Sequence, residues 1–118
     1  WAPLQTDLFD AVASASGSMW YPNFAEYVEA GEFHRSPRCA YFSLGSKEAR
    51  TPSRLLRGVA DGTQHVVAAF EAKGVKTVFE SNPGNHFKEP DVRMAKAICW
   101  AVSNCGEDSP SNSKVCEL

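Results

Sequence analysis

Three short apolar stretches, each bordered by glycine and separated by segments of helical period, constrain this chain more than any other feature. "FDAVASAS" (Phe9 to Ser16) precedes Gly17, "RCAYFSL" (Arg38 to Leu44) precedes Gly45, and "VKTVFES" (Val75 to Ser81) follows Gly74. Runs of this length and composition read as strands. Strands that alternate with helices predict successive strand-helix-strand units and an α/β fold of about three parallel strands with flanking helices. So few strands bury little by themselves. The sheet therefore reads as incomplete, either extended by strands from elsewhere or hidden on one face by association.

The helical segments have legible ends. The longest runs from about Pro52, with Thr51 as N-cap, to Lys73, and Gly74 stops it. Leu55, Leu56, Val59, Val66, Val67 and Phe70 recur along it at helical spacing, while Gly62 predicts a bend or break in its middle. A shorter helix is predicted from Pro22 to about Gly31. The last is predicted from Pro90 to about Asn104, with Val92, Ala95, Ile98, Cys99 and Val102 on its buried face. These elements make one domain over 1–105, and the small polar residues of 106–118 read as a mobile tail.

Composition excludes several classes of function. Twelve Lys and Arg against 14 Asp and Glu give a net charge of −2, so nothing electrostatic points to nucleic acid or an anionic membrane. The apolar runs are too short to span a bilayer, and no secretory leader is visible. Trp1 in place of methionine reads as the product of processing or of a cut. No two of the four cysteines are spaced Cys-x-x-Cys, so a zinc site is not expected, and no other metal or cofactor is implied. Cys39 and Cys99 sit in apolar segments and read as buried small hydrophobes. Cys105 and Cys116 flank the polar tail and can pair in an oxidising compartment, which the sequence leaves undecided.

In an open parallel sheet, functional groups collect on loops at the carboxyl ends of the strands. Those loops are "GSMW" (Gly17 to Trp20), "GSKEART" (Gly45 to Thr51) and "NPGNHF" (Asn82 to Phe87). The second offers Glu48 and the third His86. Neighbouring strands lie about 4.8 Å apart, so a carboxylate and an imidazole on adjacent loops can meet and work as an acid-histidine pair. Each residue has a plainer reading too: His86 as a loop histidine bonded to backbone, Glu48 as a solvated acid beside Lys47 and Arg50. His34 reads as surface, and His65 as exposed or at the core margin. Trp20 and Tyr21 read as core or pocket wall.

"QTDLFDAVASASGSMWYPNFAEYV", "AYFSLGSKEARTP" and "VFESNPGNHFKEPDVRMAKAICWAV" together resemble the carboxyl-terminal half of bacterial serine esterases of the α/β-hydrolase fold. The similar group contains enterochelin-esterase-like and feruloyl-esterase-like members, and the resemblance runs from about Gln5 to Val102. It implies a partial α/β-hydrolase and a small-molecule ester substrate. It implies His86 as triad histidine, Glu48 as triad acid, and Ser18 and Trp20 as substrate contacts. Related sequences often carry an aspartate where this chain has Ser46. No G-x-S-x-G occurs in the 118 residues, so the nucleophilic serine and its oxyanion donors are absent and the chain alone is expected to be inactive. The other class of function consistent with the sequence is a non-catalytic module, a homo-oligomer or one part of a complex with a complementary chain, on the same scaffold.

Overall fold

The computed structural model describes residues 5–6, 8–17, 19, 22–31, 37–47, 54–84 and 89–105. Their order is β1 (Ala11–Ala15), α1 (Phe24–Ala30), β2 (Cys39–Gly45), α2 (Arg54–Ala72), β3 (Lys76–Asn82) and α3 (Pro90–Asn104). The strands form one parallel sheet in the order β1-β2-β3, with Ala13 opposite Tyr41 and Tyr41 opposite Val78. The expected α/β arrangement is present. Thr51, Pro52 and the polar tail from residue 106 lie outside the described residues, as do the side chains of Leu55 and Leu56.

All seven residues of β2 are buried, because helices cover both faces of the sheet. Side chains alternate across a strand, so Ala40 and Phe42 enter a core with Val28 of α1 and Val66, Ala69 and Phe70 of α2. Cys39 and Tyr41 point the other way, to Ala97 and Trp100 of α3. The result is a three-layer α/β/α sandwich around β2. Among the described residues β1 and β3 are the edge strands, and helices lie on both faces of β2.

The stripe Val59, Thr63, Val66, Phe70 lies buried along α2, which continues unbroken through Gly62. Core contacts on either side of the glycine outweigh its intrinsic cost of about 1 kcal/mol. The helix ends on Gly74 at φ 79°, where Val75 N–H donates to Phe70 C=O and Gly74 N–H to Glu71 C=O. That bonding satisfies the last carbonyls, and buried Val75 joins Phe70 in the core.

Two expectations are overturned. The buried face of α3 is Arg93, Ala97, Trp100 and Asn104, while Val92, Ile98 and Val102 are exposed. The sheet face beneath carries polar groups, and these set the rotation of the helix. Arg93 donates to Ser16 Oγ, and Lys76 Nζ donates to Asn104 Oδ1 at 2.8 Å, while Trp100 packs on Tyr41 at 5.8 Å between ring centres. Hydrophobicity alone marks the wrong side. Nor is Cys39 a lone buried thiol, because it forms a disulfide with Cys105 across a Cα separation of 5.8 Å, within the range such bonds need. Cys99 is disulfide-bonded as well. Cys105 pairs with a residue 66 positions away and not with Cys116, because the end of α3 lies over the start of β2.

Candidate functional site at the carboxyl ends of the strands

Of the residues singled out in the sequence, Glu48, His86, Ser18, Trp20, Tyr21 and His34 lie outside the described residues. His65 is exposed on α2. What the structure describes is the set of stems from which the three candidate loops leave the sheet. Ser46 N–H donates to Asn82 C=O at 2.7 Å, and Lys47 N–H to Gly84 C=O at 2.9 Å. Gly84 N–H donates in turn to Ser46 Oγ at 3.3 Å. Gly84 has φ 106°, a conformation open to glycine, so the Pro83-Gly84 signal is a genuine reversal that brings this backbone back to β2. The second and third loops are therefore laced together at their bases. The first is held by Ser16 N–H, which donates to Ser43 C=O at 2.8 Å.

A polar layer, buried at Arg93 and Tyr41 and half-buried at Glu80 and Lys96, lies under these stems on the α3 side of the sheet. Arg93, 4% exposed, spans from the first turns of α3 to Ser16. Glu80 accepts from Tyr41 Oη and from Lys96 Nζ, the latter at 3.4 Å. Burial, then the hydrogen bond to Glu80 and its negative charge, push the Tyr41 phenol well above its ordinary value, with Arg93 pulling modestly the other way. Tyr41 is thus a neutral hydrogen-bond donor at every physiological pH, not a base or a nucleophile. Ser43 Oγ and Asn82 Nδ2 are buried at the same end with no hydrogen-bond partner among the described residues. Sequence reasoning missed this layer. Arg93, Tyr41 and Glu80 lie on three elements, and the one local clue was a charged residue within an apolar helix pattern.

A raised phenol has a consequence for stability. The folded state holds the Tyr41 proton more tightly than the unfolded chain does. The associated stability is complete below the unfolded value of about 10 and is lost as pH rises above it. Thermal unfolding between pH 8 and pH 11.5 should show a steeper alkaline fall for the unaltered chain than for Tyr41→Phe. Equal slopes would mean that Tyr41 does not carry the effect.

Among the described residues no group of three or more His, Cys, Asp or Glu is placed to hold a metal ion. No helix among them is long and apolar enough to cross a membrane.

Comparison with known proteins adds one relative. An uncharacterised protein, YbbA of Bacillus subtilis (strain 168), is 30% identical over 67 residues. That match covers 57% of this chain and 27% of YbbA. The chain thus spans about a quarter of the length of the curated relative it matches. No family model and no solved structure matches.

Proposed function

We propose that this chain is the carboxyl-terminal portion of a serine ester hydrolase of the α/β-hydrolase fold, carrying the acid and the histidine of a triad whose serine comes from elsewhere. The observation that carries this reading is the lacing of the second and third loops. Ser46 and Lys47 are bonded to Asn82 and Gly84, and the chain continues directly from Lys47 to Glu48 and within two residues from Gly84 to His86. An acid and a histidine leaving one bonded turn are well situated to meet. The order of three parallel strands, with a candidate acid after the second and a candidate histidine after the third, also fits.

In the intact protein the serine would attack an ester carbonyl, and His86 would take its proton and return it to the leaving alkoxide. Glu48 would hold the imidazole in the right tautomer and stabilise its cation. Without serine or oxyanion donors the chain is expected to show no turnover of a nitrophenyl ester above buffer. Turnover that His86→Ala abolishes would reveal a nucleophile within these 118 residues and overturn that part. The pairing itself is tested by NMR titration of the three histidines. Glu48→Gln should lower the midpoint of His86. If Glu48→Gln leaves His86 unmoved, the acid has been assigned wrongly.

A further inference from the structure

Every cysteine among the described residues is crosslinked. Cys39 is bonded to Cys105, Cys99 is disulfide-bonded as well, and none of the three is a free thiol. In a chain of 118 residues with four cysteines, that is heavy use of disulfides.

Disulfides in a reducing cytosol are ordinarily transient, belonging to catalytic or redox-sensing cysteines, and their surroundings show it. Such sulfurs are exposed, with a second thiol at hand or a Cys-x-x-Cys turn around them. The Cys39–Cys105 bond has different surroundings. Its cysteines are 66 positions apart, one opening the central strand and the other capping the end of α3. Their α-carbons are 5.8 Å apart, an ordinary separation for this bond.

Access to the bond is one-sided. Cys39 is 0% exposed and packs with Tyr41, Ala97 and Trp100, whereas Cys105 is half-buried. A reducing thiol therefore has to attack the Cys105 sulfur and expel that of Cys39 as a thiolate into the core. An anion without solvent is a poor leaving group. Lys76, opposite Cys39 in the sheet, is the neighbouring cation, and its Nζ is engaged by Asn104 Oδ1 at 2.8 Å. The site is thus built to keep a bond, not to exchange one.

The bond also fastens the helix that needs it. The buried face of α3 offers the sheet Ala97 and Trp100 as apolar contacts between Arg93 and Asn104. Cys99, on the same helix, carries a second crosslink.

We infer that this chain folds and acts in an oxidising compartment, outside the reducing cytosol. The inference draws on the cysteines and does not depend on the ester-hydrolase reading. Closing the bond removes two protons and two electrons from the thiols of Cys39 and Cys105. A protein dithiol–disulfide carrier of that compartment accepts both through a mixed disulfide and leaves as its dithiol.

Thiol trapping in the cells that make the protein tests this. Intact cells are treated with N-ethylmaleimide and fractionated, and the full chain from each fraction is denatured in the same reagent and digested for mass spectrometry. The chain should be found outside the cytosolic fraction. Cys39, Cys99 and Cys105 should stay unlabelled until dithiothreitol is added, with one crosslinked peptide joining Cys39 to Cys105. Labelling of Cys39 and Cys105 in most molecules before reduction overturns the inference. So does a bonded chain in the cytosolic fraction.

A second measurement checks the protection of the bond on the purified chain. Reduction of Cys39–Cys105 by glutathione at pH 7 should be slower in the native chain than in denaturant on the order of a hundredfold. Equal rates would mark the bond as freely exchanging and remove the structural ground for the compartment.

Discussion

Replacing Cys39 and Cys105 together by alanine is expected to lower the unfolding free energy by about 4 kcal/mol, the loop-closure value for cysteines 66 positions apart. This bond matters because of what α3 otherwise brings to the sheet. Its buried face holds Ala97 and Trp100 between Arg93 and Asn104, so little apolar area docks the helix and two of its four contacts are polar. The crosslink holds the end of α3 to the start of β2 in the folded and unfolded states alike, and its loss frees mainly the unfolded chain. Urea denaturation should therefore show a lower midpoint and a larger m, because the uncrosslinked denatured chain expands and exposes more surface. A loss below about 1 kcal/mol, with m unchanged, would show that the bond does not act through loop entropy.

Phe42→Ala is expected to cost about 3–5 kcal/mol, the range for emptying a well-packed aromatic site. Phe42 is 1% exposed in the middle of the central strand, and its ring meets that of Phe70 edge to face at 5.5 Å. Val28 and Val66 close the same core, so three elements would collapse into the cavity only in part. The comparison that makes the measurement decisive is Ile98→Ala, which removes a similar apolar side chain from an exposed helix flank. That change should alter stability by less than about 0.5 kcal/mol. A domain of this size is stable by about 5–15 kcal/mol in all. Phe42→Ala combined with loss of the disulfide should therefore leave little folded protein at 37 °C. Comparable losses for Phe42→Ala and Ile98→Ala would mean that β2 is not the centre of the core.

The strand and helix order was legible because local signals agree. Each strand is a short apolar run, each helix has one apolar stripe or a proline start, and Gly74 and Pro83-Gly84 mark reversals that the backbone makes. The turns that follow β2 and β3 were legible for the same reason, and they are bonded to one another. The rotation of α3 was not. Val92, Ile98 and Val102 form a plausible buried stripe by period alone, and only the partners of Arg93 and Asn104 turn the helix the other way.

By itself, the sequence determined the alternation of strand and helix, the parallel sheet and the turns that follow β2 and β3. These depend on period, turn chemistry and chain order, which are local properties. Tertiary structure alone decided which face of α3 is buried, that Cys39 pairs with Cys105, and that Tyr41 is tied to Glu80. Each joins groups far apart in the chain. Their free energy depends on distance and burial in the folded sheet, which neither residue type nor sequence spacing records.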